Sequence, residues 1–594
     1  MALTFKHPGV YVDEISTIPS SIAQVETAVP AFVGYTAKRE KNGVAFDINI
    51  PQRITSLLEY EMYFGSGFPE TLEVIIDEPD LGSQVPKVTI SPATALSGYV
   101  LYYHVKMFYE NGGGTCYVTS VGTYNAGAPN IDKTELKNGL IACEKEDEVT
   151  LLAVPEATAL TAAAETKELY DAMLSQCSKL QDRFAILDVI QPNTPATLFQ
   201  VADAFRNDYV SADNLKYGAA YYPRIQSSVV YNRVVDEMIL IAEDNRGGDN
   251  LGIYKPVGDV KKPITDIIKA SAQTAVASTA KITINADTID SQSISIAGIS
   301  LVFGTEGVSI ASSNTTTAKN LKDAINNNDD LKTIIVADSS GKVVTITALK
   351  AGISGNAIPI VYDPKGGAVS ISLDGNFLQG GFDAVNFPLF YQIKKALDGY
   401  TVALYPSGMV TGVMARVDQE RGVWKAPANV SIRTVDKPLQ NISDDEQDYL
   451  NVDPTSGKSI NVIRKFAGKG TLVWGARTLA GNDNEWRYVP VRRLFIMVEE
   501  SVKKATEFVV FEPNDAKTWM RVKTMCENFL NQLWRQGALA GAKPEHAYFV
   551  NVGLGITMSS IDILEGRLIV EIGMAAVRPA EFIILKFSHL LAKS

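Results

Sequence analysis

The chain has 594 residues, 46% hydrophobic and 21% charged, a globular composition with room for several domains. Lys and Arg number 55 against 67 Asp and Glu, and the resulting net charge of −12 argues against a protein that binds nucleic acid with its whole surface. No apolar run reaches the roughly 18 residues of a membrane span, and the first eight residues lack the basic-then-apolar order of a signal peptide. The chain is therefore expected to be made in the cytoplasm, to stay soluble there and to insert stably in no membrane. Cys116, Cys143, Cys177 and Cys526 show no metal or redox spacing and read as small buried hydrophobes, so any exit from the cell is expected to be by lysis.

At the N-terminus, Thr4-Phe-Lys-His-Pro-Gly9 excludes helix, Val10-Tyr-Val-Asp-Glu-Ile15 reads as a strand, and 16–22 reads as an extended tether. Ala31–Tyr35 is a buried strand, and Ser56 to Gly65 a short helix ended by glycine. Residues 66–98 are turn-rich, a small excursion. An amphipathic helix from Ser97 to Glu110 runs into Asn111-Gly-Gly-Gly-Thr115 and the strand Cys116–Thr119. That glycine turn follows a helix and precedes a strand, the reverse of a phosphate site.

From Thr150 the pattern is βαβαβ: strand 151–155, helix 165–176, strand 184–190, a helix near 196–205, and a strand near 217–224, which predicts a largely parallel sheet. Glu156 and Asp188 fall at strand ends, where a crevice for chemistry could sit, but no nucleophile and base share a motif with them and they read as exposed carboxylates. Residues 271–384 lose Trp and His and become rich in Ser, Thr, Ala, Asn, Gly and Ile. Short period-2 strands at 281–285, 293–298, 343–347 and 369–372, with one helix at 318–327, predict a mostly β domain inserted in a surface loop.

After Phe387 come a strand at 398–405, a helix from Val410 to Arg416, an acidic stretch Ser443-Asp-Asp-Glu-Gln-Asp448 read as a solvated turn, and strands at 460–464 and 470–474. All five tryptophans lie between Trp424 and Trp534, which places the rigid core in the last third. With Asn514 or Asp515 as N-cap, Trp519, Val522, Cys526, Phe529, Leu530 and Leu533 make one apolar helical stripe. Lys517, Arg521, Thr524, Asn528 and Arg535 form the opposite ridge, with three positive charges and no negative one. A solvated face is the simpler reading of that ridge, and a docking rail for an acidic partner the sharper one. Strands follow at 546–552, 567–572 and 581–587, the last with too little chain after it to cover a free apolar edge. The histidines are isolated, no Gly-x-Ser-x-Gly elbow is present, and no catalytic residue, metal site or cofactor is expected.

Several of these stretches resemble the contractile tail sheath proteins of bacteriophages and phage-tail-like injection particles. They are His7–Glu14, Pro30–Tyr35, Asp418-Gln-Glu-Arg-Gly-Val-Trp-Lys-Ala-Pro-Ala-Asn429, Val473–Leu479, Trp486–Arg493, Leu533–Leu539 and Val577–Ile583. The likeness is good over about the first 50 residues and 385–594, loose over 99–260 and absent over about 270–384. It implies an α/β protein with an α+β core and multidomain sheath architecture. Residues 1–25 would be a strand-exchange arm belonging to the core domain, 26–265 a middle α/β domain, 271–384 an outer decoration, 385–420 the return of the middle domain and 421–594 the core. Such subunits form hexameric rings, stacked helically around an inner tube, that contract to drive the tube through a target envelope. Implied partners are further copies, the inner tube, and baseplate and terminator or cap proteins, with no direct nucleic-acid contact. On this reading Val10, Tyr11 and Val12, with Phe582, Ile583, Ile584 and Leu585, are strand arms donated to other copies, and Lys517, Arg521 and Arg535 face an acidic tube. A non-contractile surface or filament polymer would share the insertion and the exposed edges without these signatures; a hydrolase-like enzyme comes last.

Overall fold

A computed structural model describes residues 22–77, 87–93, 95–125, 130–191, 196–234, 239–245, 261–264, 277–285, 291–304, 307–349, 358–365, 371–375, 378 and 387–584. The chain divides into two compact units, Met1–Phe68 with Ser97–Asn232 and Thr401–Ser594, and Pro69–Leu96 with Arg233–Tyr400. The turn-rich excursion is thus the first piece of the second unit. No helix of the described residues is long and apolar enough to cross a membrane.

The first unit is built on one nine-stranded sheet: β1 (Pro30–Thr36), β2 (Gln52–Ile54), β3 (Cys116–Thr123), β4 (Leu151–Ala153), β5 (Phe184–Asp188), β6 (Gly218–Tyr222), β7 (Val430–Ser431), β8 (Ile460–Phe466) and β9 (Gly470–Val473). Their order is β7-β9-β8-β6-β5-β4-β1-β3-β2, parallel from β8 through β3 and antiparallel at both edges. β1, β4, β5 and β6 are buried at every residue, as a parallel sheet covered on both faces requires. Against it pack helices α1 (Leu101–Glu110) and α2 (Ser407–Arg421). They touch closely because Gly408 and Gly412 of α2 face the α1 backbone, where an added Cβ would lie 2.5 Å from the carbonyl oxygens of His104 and Phe108.

Burial corrects one expectation. The largest fully buried side chains, among them Phe32, Tyr60, Phe108, Tyr170, Phe184 and Tyr221, all belong to the first 222 residues, whereas the five tryptophans are half-buried. Indole is large and carries an N–H, so it settles at element edges; the sealed core is the parallel sheet.

The last third adds helices α3 (Asp444–Asn451), α4 (Val489–Thr506) and α5 (Ala516–Arg535) and a hairpin of β10 (Tyr548–Val552) with β11 (Val570–Met574). α3 replaces the expected solvated turn: Ser443 and Glu446 form a reciprocal capping box, and three acidic side chains occupy the first turn, where the helix dipole favours them. Asp515 caps α5, and Val522, Met525, Cys526, Phe529, Leu530 and Leu533 are buried against α4 and the hairpin. Trp519 lies at the edge of that stripe, its indole N–H donating to Asn514 Oδ1 at 2.6 Å. The expected strand 581–587 has no ladder partner over its described residues, 581–584.

In the second unit, strands Leu72–Asp77, Lys87–Pro92, Leu240–Asp244 and Lys262–Pro263 form one sheet, whose core includes Leu389, Ile393 and Leu397 of the helix Phe387–Asp398. A separate core within 280–378 joins a four-stranded and a three-stranded antiparallel sheet to the helix Asn314–Asn327.

Candidate functional site

The segment that leads in from the N-terminus is fixed to the first unit at three places. Ile22 is buried among Leu494 and Met497, the Val25 N–H donates to Ser501 Oγ at 3.1 Å, and Thr27 Oγ1 donates to Asp418 Oδ2 at 2.6 Å. Arg493 completes the joint. Its Nη1 donates to Asp418 Oδ1 at 3.0 Å, and its Nη2 donates to the Thr27 carbonyl at 2.8 Å and to Asp418 Oδ2. The two charged side chains are 3% and 6% exposed. Asp418 stands in the last turn of α2, where the helix dipole disfavours a carboxylate, so the bidentate guanidinium is what allows a charge there.

The C-terminal segment is held by a second clamp. Arg477 donates from Nε to Glu581 Oε1 at 2.9 Å and from Nη2 to Oε2 at 2.7 Å; Asn451 Nδ2 donates to Oε1 at 2.8 Å and the Tyr488 hydroxyl to Oε2 at 3.1 Å. Burial opposes the charged form of Glu581, but Arg477 and Asn451 outweigh it and its carboxyl sits below the usual range. Immediately after the clamp, Phe582, Ile583 and Ile584 are 69%, 79% and 81% exposed. Both clamps converge on the start of α4, since Tyr488 is its N-cap and Arg493 lies in its first turns.

Of the expected arm residues, Phe582, Ile583 and Ile584 are thus presented to solvent, while Val10, Tyr11, Val12 and Leu585 lie outside the described residues. Among the described residues β10 and β11 pair only with each other; a two-stranded ribbon is marginal unless something packs on it or extends it. Lys517, Arg521 and Arg535 are exposed on α5 and, among the described residues, form no salt bridge, while Arg521 lies 4.4 Å from the Phe508 ring centroid. The sequence reading did not find Thr27, Asp418, Arg493, Arg477 or Glu581 as partners. A signal was present: the four charged ones lie in four of the signature stretches, which meet in pairs at the roots of the two terminal segments.

The strand-end carboxylates prove to be buried. Glu156 accepts the Tyr35 N–H at 2.8 Å and the Leu101 N–H at 3.3 Å at the start of α1, and burial lifts its carboxyl to about 8. Asp188 accepts the Ser407 N–H at 2.8 Å at the start of α2, and burial lifts it to about 7. His104 Nδ1 lies 3.2 Å from Ser407 Oγ and accepts the Gly408 N–H at 3.2 Å, its imidazole pushed down to about 3 by burial. Serine, histidine and aspartate thus meet, but Asp188 bonds the serine rather than the imidazole, whose Nδ1 is taken up by the Gly408 N–H, and Ser407 and His104 are each 1% exposed. A nucleophile needs a base oriented from behind and an open face; this trio is a helix cap.

Comparison with known proteins accounts for the clamps' setting. The family model for the phage tail sheath protein central domain matches residues 307–479, and that for the phage tail sheath C-terminal domain matches 481–588. The first of these takes in part of the 270–384 stretch in which the sequence showed no resemblance. A tail sheath protein of Salmonella phage ViI is 27% identical over 139 residues, 23% of this chain and 21% of that protein, so the match spans about a fifth of the relative's length. A chain in the baseplate of the anti-feeding prophage is 25% identical, with 99% of this chain and 100% of that one covered and a TM-score of 0.51. A chain in the contracted sheath complex of the extracellular contractile injection system PVC is 25% identical over 99% and 98% of the two chains, with a TM-score of 0.50. Two successive domain models and likeness to sheath structures over almost the full length agree with the motifs that build the clamps: residues 307–588 carry the central and C-terminal domains of the phage tail sheath family.

Proposed function

We propose that the chain is the structural subunit of a contractile sheath, polymerising as stacked hexameric rings around an inner tube and shortening to drive that tube through a target envelope. The observation that carries this reading is the pair of clamps. Each fixes the root of a terminal segment by a guanidinium–carboxylate joint, and the apolar residues just beyond the second are exposed among the described residues. Strands donated from those segments to the open hairpin of another copy would supply backbone hydrogen bonds worth roughly 0.5–1.5 kcal/mol each, many per lattice. A head-to-tail contact of this kind does not close on itself and generates a helical polymer. The relatives in contracted and baseplate assemblies support the same reading, and the exposed cations of α5 suit a salt-sensitive, quickly released contact with an acidic tube. Baseplate and terminator proteins would cap the polymer, and the particle, virion tail or injection device, would be its location.

The test is removal of residues 582–594. The shortened chain is expected to fold and stay monomeric where the full chain forms tubular polymers by electron microscopy and sedimentation. Long sheaths from the shortened chain would overturn the proposal.

A further inference from the structure

Phe511 sits where glycine belongs. The Glu512 N–H donates to the Val509 carbonyl at 3.0 Å, closing a turn in which Val510 has φ −63° and ψ 124° and Phe511 has φ 69°. Those are the angles of a type II turn, whose third residue is favoured to be glycine because a Cβ is strained there. Among the described residues the phenyl ring gains nothing that would offset the strain, being 103% exposed. Val510 is exposed beside it, and the Asn514 side chain, donating to the Arg567 carbonyl at 3.0 Å, ties the exit of the turn to the stretch after β10, where Ile556 and, on the short helix Ser560–Leu564, Ile561 and Leu564 are exposed. Arg521 stacks on Phe508, one turn of chain before Phe511, and so joins this apolar point to the basic ridge of α5.

We propose that Phe511 is the anchor of that ridge: its ring enters an apolar pocket on an acidic partner surface, with Lys517 and Arg521 at the near end of α5 beside it and Arg535 continuing the charged contact about 27 Å further along the helix. An aromatic anchor ringed by polar contacts is the usual arrangement of a binding hot spot. The partner is the inner tube, and the inference rests on the reading of α5 as the tube-facing helix. The complementarity argues for it. The ridge offers three cations unpaired among the described residues, nearby Asp515 is engaged as the helix cap, and neighbouring copies are already joined, in that reading, through the arms.

Cosedimentation of the full chain with separately assembled inner tubes, at low and high salt, tests this. Phe511→Gly relieves the turn, so it is expected to be at least as resistant to urea as the parent while binding tubes at least about tenfold more weakly. Tube binding that survives high salt in the parent should vanish in this variant, because the ridge contribution is screened and the apolar one is not. Binding by Phe511→Gly within about twofold of the parent overturns the anchor. So does a loss confined to self-association without tubes, which would assign Phe511 to a second copy. Reversing Lys517, Arg521 and Arg535 together to Glu separates the two readings. If that variant binds tubes normally at low salt, the tube-facing reading of α5 fails; if it loses binding while Phe511→Gly keeps it, only the anchor fails.

Discussion

Asp188 shows how little a single residue's place in the sequence says about its surroundings. The pattern put it at the end of a buried strand, correctly, and strand ends are commonly open to water. Its burial follows from Ser407, 219 residues away, whose helix starts on top of it. The consequence is a sign in the pH dependence. The Asp188 carboxyl is raised from its ordinary 3.8 to about 7, so the folded state holds the proton more tightly than the unfolded one. That contribution is fully present below 3.8 and is lost as pH rises through about 7. Asp188→Asn keeps an acceptor for the Ser407 N–H and removes the titration. Urea midpoints of this variant are expected to vary less than the parent's between pH 4 and pH 8, and Asp188→Ala is expected to be less stable than Asp188→Asn by about 1 kcal/mol at every pH for loss of the cap. Gly412 gives a second check. A methyl there meets the Phe108 carbonyl oxygen at 2.5 Å, so Gly412→Ala is expected to destabilise the chain by about 1–3 kcal/mol in the same measurement.

At the scale of elements, periodicity served well wherever one face had to be buried. The α5 stripe, the parallel strands and the strands of 281–347 all lie close to where alternation placed them. Composition misled where a short motif outweighed it. Ser443-Asp-Asp-Glu446 looked like a charged turn, although serine with glutamate three residues on is a helix start. The helix Phe387–Asp398 and the long helix α4 drew no notice, and with α4 went the clamps, since no local pattern reveals that residues 75 and 104 positions apart form ion pairs. Asp418→Ala leaves the Arg493 charge buried without its partner and is expected to cost about 3–5 kcal/mol, while Asp418→Leu with Arg493→Met should recover most of it. Limited proteolysis should show the chain around Thr27 opening in both variants, because the double one also removes the Arg493 donor to the Thr27 carbonyl. Arg477→Ala is expected to speed amide exchange in residues 577–584 with little change at β1, because the Glu581 side chain is partly solvated and only the local root depends on it.

For the whole molecule, the resemblance in separated stretches was legible because those stretches build the joints of the first unit, where geometry restricts the residue types. The 280–378 body is different: its core is its own, and strands of Ser, Thr and Ile can be exchanged for others without disturbing anything outside it. Replacing 271–384 with a short Gly/Ser linker is therefore expected to remove one calorimetric transition and leave the transition of the sheet-bearing unit within a few degrees of its parent value. A single transition lost entirely would show that the two fold as one.

Tyr488 and Arg493 are five residues apart on one helix, a rise of only about 7–8 Å. A pull arriving along one end of the polypeptide is therefore handed to the other end almost at once, through the stiff first turns of α4, without crossing the parallel sheet or the second unit. Copies linked end to end would behave as a net of short rigid knots: hard to stretch along its threads, yet leaving each bulky body free to swing as the pitch of the helix changes.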